Sequence, residues 1–333
     1  MRRNSMNRFI LFCQIFWFGL TVHAQNNDNI ASDIDTLRFH YATASEARTL
    51  WLEEDAYKRN LSKFDLNVRV GHNGATMKDL EQKAFRGFHD WTKAEKERMD
   101  SLMGKLNEII RKENYKLPLP DSIIIVKSDM EDEGGAGGYT RSKWIALQSD
   151  IPLKYPEIKL IHIMLHELFH VLTRNNLDFK RNMYAQIGFT VLDYEIEFPK
   201  DLKDVRISNP DVDRMDSYAI FKVDSVIEPQ RCAMVLYANK PYAGGTLFQY
   251  INVGFIALDQ NLKPIISNGK TLVYSTKQIN NFTDKVGENT RYMINPEEIL
   301  ADNFSFSFMR WEHGMKTPSL CEKLRSVMMK TEK

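Results

Sequence analysis

The 333-residue chain is 43% hydrophobic and 27% charged, which is the composition of a globular protein and excludes a disordered or fibrous one. Its formal net charge of +1 becomes −2 when the three arginines of the first 24 residues are removed. Neither value predicts electrostatic binding, so we expect no nucleic-acid partner and no attraction to anionic lipid.

The amino terminus, "MRRNSMNRFILFCQIFWFGLTVHAQ", has a basic start, an apolar run from Phe9 to Val22 and a small-residue site ending at Ala24. This pattern is typical of a secretory signal peptide, and the run is short for a membrane span. An uncleaved anchor remains the alternative. We expect a signal peptide over 1–24, and a secreted or periplasmic domain over 25–333 with no membrane span in the mature chain.

Export would also determine which cysteines remain in the mature chain. Cleavage would remove Cys13 and leave Cys232 and Cys321 in an oxidising compartment. These two cysteines can form one disulfide or remain two buried thiols, and the sequence does not show the distance between them.

The first predicted elements are a helix and two strands. Thr92 and Glu95 form a capping-box pattern that predicts a helix up to about Arg111. The apolar run "DSIIIVKS" predicts a short buried strand, and the alternating "KWIALQS" predicts a second one. Between them, the four glycines of "EDEGGAGGYTRS" predict a loop.

A hydrophobic helix follows over 158–176, "IKLIHIMLHELFHVLTRNN", and it contains the pattern H-E-x-x-H. His166 and His170 are four residues apart, so both imidazoles lie on one helical face and can reach one ion. Glu167 is rotated away from that face but can reach a water that the ion holds. The pattern therefore predicts one Zn²⁺ per chain, with Glu167 as general base. The alternative is a polar stripe that faces solvent. His162, one turn earlier, is expected to be exposed or hydrogen-bonded rather than a ligand.

A second helical pattern covers 179–191, and the texture then changes. From about Arg206 to Tyr274, β-branched and aromatic runs alternate with turn residues such as those of Asn268-Gly269. We expect a β-rich insertion over about 200–280 between the metal-binding helices. Helices segregated from largely antiparallel strands predict the α+β class.

The motif "MINPEEILADNF" supplies the best candidate for a third ligand. Asn295 is a helix N-cap residue, and Glu298 and Asp302 lie four residues apart on the helix that it starts. Glu298 can bind the metal, and Asp302 can accept the second ring N–H of a ligand histidine. Alternatively, Glu298 only completes a capping box with Asn295. The remaining candidates for the third ligand are Glu195, Glu197 and His313.

H-E-x-x-H followed by E-x-x-x-D on a later helix resembles the gluzincin group of zinc metallopeptidases. The resemblance implies a zincin-like fold in which a strand before the active-site helix forms the edge of the cleft, as "GYTRSKWIALQ" is placed to do. It also implies the site residues: His166, His170 and Glu298 as zinc ligands, Glu167 as general base, and Asp302 as the partner of a ligand histidine. The chain differs from thermolysin-like enzymes in the 127 residues that separate His170 from Glu298.

The sequence therefore predicts a secreted zinc-dependent peptidase that acts on a peptide or protein. An extended substrate could pair with the strand at 144–148, and the alternative is an ordinary edge strand beside a hairpin loop. Tyr292, Tyr250 and His313 are the candidates for stabilising the oxyanion. Two alternatives stay open: an exported binding protein with a structural zinc site, and a zinc amidase or deformylase-like hydrolase of small amides.

Overall fold

The computed structural model describes residues 36–212 and 214–329, so the predicted signal peptide lies outside the described residues. None of the helices in these two ranges is long and apolar enough to cross a membrane. The elements of the first half of the chain are, in order, β1 (Phe39–Tyr41), α1 (Ala44–Leu52), α2 (Ala56–Asn60), α3 (Lys63–Val70), α4 (Met77–Gly87), β2 (Phe88–His89), α5 (Lys93–Glu113), β3 (Ile123–Ser128), β4 (Gly138–Arg141), β5 (Trp144–Gln148), α6 (Ile151–Lys154), α7 (Glu157–Asn175) and α8 (Leu177–Ala185).

The first sheet is mixed rather than largely antiparallel. Within the described residues its strand order is β1-β3-β5-β4, with β2 paired to the end of β3. β1, β3 and β5 are parallel, whereas β4 runs antiparallel to β5 and forms an edge. The prediction that a substrate pairs with Trp144–Gln148 is therefore wrong, because both sides of that strand are already occupied. The edge on this side of the sheet is β4.

The remaining described elements form a second, five-stranded sheet, a separate antiparallel pair of strands (β10 and β11) and three helices. Within the described residues this sheet has the order β12-β9-β8-β7-β6, and each neighbouring pair is antiparallel. The elements are β6 (Phe189–Val191), β7 (Ser217–Phe221), β8 (Gln230–Tyr237), β9 (Asn252–Leu258), β10 (Ile266–Ser267), β11 (Lys270–Thr271), β12 (Val273–Ser275), α9 (Phe282–Val286), α10 (Pro296–Phe308) and α11 (Pro318–Met328).

The helix predicted over 179–191 is wrong at its carboxyl end. α8 ends at Ala185, and Gly188 has a φ of 72°, a left-handed conformation that ends the helix. Residues 189–191 then pair with β7. The second sheet therefore begins before the predicted lower bound of about 200.

The β-rich segment shares its core with α7 and α10. One apolar cluster contains Ile125 and Leu147 of the first sheet, Leu165 of α7, Phe255 of the second sheet and Phe304 of α10. All five are fully buried, and burying each such side chain contributes about 1.5–3 kcal/mol. This packing holds the second sheet, and the loops beside it, against α7 and α10.

Both cysteines of the predicted mature chain are buried and free. Cys232 lies in β8 and Cys321 in α11. Of the two alternatives left by the sequence, the structure has the buried thiols.

Candidate metal centre

α7 presents His166 and His170 on one face, as their spacing predicts. The helix is largely buried, and its two imidazole centroids lie 4.9 Å apart. His170 is completely buried, whereas His166 is partly accessible. The apolar residues of α7 pack into the core, so this histidine face is directed at α10 rather than at bulk solvent.

α10 brings Glu298 to the two histidines across 127 intervening residues. Glu298 Oε2 lies 2.9 Å from His166 Nε2 and 3.6 Å from His170 Nε2. One ligand atom from each of the three residues can be chosen so that all lie within 4.8 Å of one another. The helix cap is made by Asn295 alone, whose side chain accepts the backbone N–H of Glu297 at 3.0 Å. The capping role considered for Glu298 is therefore wrong.

The outer nitrogen of each histidine is held by a carboxylate. His166 Nδ1 lies 2.8 Å from Asp302 Oδ1, and His170 Nδ1 lies 3.1 Å from Glu297 Oε1. Each carboxylate accepts the Nδ1 proton, which leaves the lone pair on Nε2 and fixes the ring orientation. Metal-binding histidines are commonly held in this way. Asp302 therefore lies where the sequence motif predicts it.

The atoms of His166, His170 and Glu298 that face one another fit a divalent cation. His170 Nε2 is buried and has no hydrogen-bond partner within the described residues. A lone pair on Nε2 that faces an ionised Glu298 is repulsive unless a proton or a metal ion lies between them. Two imidazole nitrogens and one carboxylate oxygen form a donor set of the kind that zinc binds in hydrolases. The residues present therefore fit Zn²⁺.

Protons stabilise the same arrangement when no cation binds. Burial alone would lower the pKa of His170, but the carboxylates of Asp211, Glu297 and Glu298 raise it to about 10. Burial raises the pKa of Glu298, but the hydrogen bond to His166 and the nearby charges of His170 and His166 more than offset this effect and hold it well below its usual range. The site is thus strongly cation-attracting, and metal binding has to displace protons.

Glu167 lies beside the histidine pair without joining it. Its carboxylate is buried, and Thr140 Oγ1 of β4 donates to Oε2 at 2.8 Å. A Cβ atom at Gly138, also on β4, would lie 2.5 Å from Glu167 Oε1, so only glycine leaves room for this carboxylate. Burial raises the pKa of Glu167, and the nearby His170 and His166 lower it. A buried carboxylate with a raised pKa is suited to accepting a proton.

The chain matches no protein-family model, no curated protein and no solved structure. The assignments in this site therefore rest on its own geometry.

The other residues considered as metal ligands from the sequence are either exposed or hydrogen-bonded. Glu195, Glu197 and His313 are exposed, and none of them belongs to a group of metal-ligand atoms among the described residues. His162 is hydrogen-bonded, as predicted: its Nδ1 lies 2.9 Å from Ser305 Oγ. Its Nε2 lies 3.3 Å from Asp302 Oδ1, so the two histidines share this carboxylate.

One of the three oxyanion candidates lies at the site. The Tyr292 ring centroid is 6.2 Å from that of His166, and burial together with the surrounding carboxylates raises the pKa of Tyr292 well above its usual value. Tyr250 instead donates its hydroxyl to the carbonyl of Gly244 at 2.7 Å. The structure therefore leaves Tyr292 as the candidate.

Sequence reasoning missed four residues that contact the site. Glu297 is buried, and Tyr184 donates to its Oε2 at 2.5 Å. The two consecutive glutamates after Pro296 were the available signal, because both lie in the first turn of a helix that packs on α7. Thr140, Asn209 and Asp211 carried no signal, since they reach the site from β4 and from the loop before β7.

Proposed function

We propose that the mature chain is a secreted zinc-dependent peptidase. The observation that supports the proposal most is the meeting of His166, His170 and Glu298 around a buried, unpartnered His170 Nε2, with Glu167 beside it. Two histidines and one glutamate leave one position of a tetrahedral zinc site for water, which is the arrangement of catalytic rather than structural zinc.

Zinc in such a site polarises a carbonyl group and lowers the pKa of water toward roughly 7. The chain's own residues then supply the proton transfers. Glu167 accepts the proton of the attacking water and passes it to the leaving amine. Thr140 and Gly138 keep the carboxylate of Glu167 in place, and Tyr292, whose ring centroid is 6.2 Å from that of His166, would supply a hydroxyl donor for the developing oxyanion.

The first experiment measures metal content in the protein that begins at Gln25, before and after mild chelation. One zinc per chain, removable by the chelator, is the expected result. Glu167→Gln should retain this zinc and lose nearly all hydrolysis of a peptide library, whereas Glu197→Gln, an exposed control, should retain both. A folded protein without metal, or an active Glu167→Gln variant, would refute the proposal. Parallel digestion of small amides distinguishes a peptidase from an amidase.

One observation favours the structural-zinc alternative. A carboxylate oxygen of Asp211 lies within 4.8 Å of ligand atoms of both Glu167 and His170. A fourth protein ligand would close the site and leave no position for water. In that case the chain would be an exported binding protein whose β-rich segment contacts a partner.

A further inference from the structure

The free edge of β4 is oriented so that a substrate strand could extend the first sheet. The Gln148 N–H donates to the Gly137 carbonyl, which places the N–H and C=O of Gly138 and Thr140 on the side away from β5. The Thr140 side chain and the direction that a Cβ would take at Gly138 both point toward Glu167. A peptide that pairs with this edge would therefore pass beside the proposed base.

This edge is already occupied at Thr140. The backbone N–H of Thr140 donates to Asp211 Oδ1 at 2.6 Å, and its carbonyl accepts from Arg174 Nη1 at 2.9 Å. Arg174 Nη2 in turn donates to the Pro210 carbonyl at 2.8 Å. We call residues 209–212 the cover segment. Asp211 of this segment and Arg174 of α7 together hold the two backbone groups that an added peptide strand would need.

The cover segment also reaches the candidate metal ligands. The Asn209 side-chain amide donates to Glu298 Oε1, and the Asp211 carboxylate lies within 4.8 Å of His170 and Glu167 ligand atoms. His170 Nδ1 is bound to Glu297, so Nε2 is the nitrogen of His170 left for a further ligand. The ionised carboxylates of Asp211 and Glu167 would repel each other at this separation unless a proton or a cation lies between them. Glu167, His170 and Asp211 form a second group of possible ligand atoms that shares His170 with the first, so a cation bound to His170 can also take Asp211 as a ligand.

The segment is fixed on both sides by contacts outside the site. Before it, the Ser208 N–H donates to Asp65 Oδ1 at 3.0 Å, and Arg69 Nη2 donates to the Ser208 carbonyl at 2.5 Å. After it, the Ile196 N–H donates to the Met215 carbonyl at 2.7 Å. These contacts anchor the chain at Ser208, directly before the cover segment, and at Met215, shortly after it.

From these contacts we propose that the structure is a closed state, in which the cover segment occupies the substrate cleft. Asp211 takes the metal position that the hydrolytic reaction needs for water, and peptide binding at β4 requires its removal. This inference rests on the proposed function, because it assumes a cation held by His166, His170 and Glu298. It goes further in making Asp211 a displaceable ligand rather than a permanent one.

The test uses the chain beginning at Gln25, loaded with Co²⁺ as a visible probe, and titrates it with acetohydroxamate, a small metal-binding anion. Asp211→Asn preserves the acceptor for the Thr140 N–H and removes the charge, whereas Asp211→Ala removes both. The exposed Asp121→Ala is the matched control. We expect both Asp211 variants to bind acetohydroxamate at least tenfold more tightly than the parent chain and the control. We also expect Asp211→Ala to hydrolyse peptides about tenfold faster in kcat/KM.

Equal acetohydroxamate affinity in all four proteins would overturn the closure. The same holds if Asp211→Asn loses hydrolysis while its acetohydroxamate affinity stays that of the parent, since Asp211 would then act in the reaction. Tighter acetohydroxamate binding by the variants with no peptide hydrolysis in any protein would support the closure and refute the peptidase. A chain that binds no cobalt would refute both.

Discussion

Replacing Gly138 by alanine tests whether the position of Glu167 limits the reaction. The new Cβ would lie 2.5 Å from Glu167 Oε1, 3.0 Å from Cδ and 3.2 Å from Cγ. Comfortable carbon contacts begin at roughly 3.5 Å, so the carboxylate has to move by about 1 Å. Gly138 lies in a strand and does not have a positive φ, so alanine brings no backbone strain. A displacement of this size costs on the order of 10² in kcat.

Gly137→Ala is the matched control, because its Cβ would meet only Ile151 Cδ1 at 3.6 Å and Ile163 Cδ1 at 3.9 Å. Both variants are best assayed in the Asp211→Ala background, where the cover segment no longer competes with peptide. We expect equal zinc content and similar melting temperatures, with kcat lower only for Gly138→Ala. A Gly138→Ala kcat within twofold of the control, with zinc retained, would refute the reasoning about Glu167.

Glu298→Gln should weaken zinc binding more than about 100-fold in competition with a chelator, whereas Glu195→Gln, at an exposed position, should leave zinc binding unchanged. The reverse result would mean that Glu298 is misassigned as the third ligand. Asp302→Asn should weaken zinc binding about 10–100-fold, because it alters the partner that holds His166, and an unchanged affinity would contradict this role. Burial raises the pKa of Glu133 to about 7, although the charge of Arg69 opposes the shift. A raised folded-state pKa stabilises the fold below the unfolded value of 4.5, and this contribution is lost as pH rises through about 7. Urea unfolding should therefore show the parent losing on the order of 3 kcal/mol relative to Glu133→Gln between pH 4 and 8, and parallel pH profiles would contradict it.

Local patterns determined the parts of the site that lie within one element. The capping box at Thr92 is present, with the Thr92 N–H donating to Glu95 Oε2 at 2.8 Å, and the helix that follows runs to Glu113. The four-residue spacing places His166 and His170 on one face of α7. These features depend on contacts between residues a turn apart, which the sequence displays directly.

The same local reasoning failed where partners from other elements decide the structure. The apolar pattern over 179–191 is interrupted at Gly188, and the residues after it pair with β7 instead of extending α8. The alternation in Trp144–Gln148 identified a strand but not its place in the sheet. Whether a strand is an edge depends on which neighbours bind it, and a single strand's pattern contains no such information.

Only the tertiary structure decided what surrounds the histidines. Glu298 had two plausible roles in the sequence, and the packing of α10 on α7 directed it to the metal-binding face rather than to its own helix cap. Thr140 and Asp211 meet although 70 residues lie between them, because the second sheet shares a core with α7 and places the cover segment on β4. The sequence by itself thus predicted a helix with two histidines on one face and a glutamate suited to proton transfer. Contacts between distant elements, which depend on the packing of the whole core, brought Glu298 to these histidines, supplied the partners of their outer nitrogens and placed the cover segment on β4.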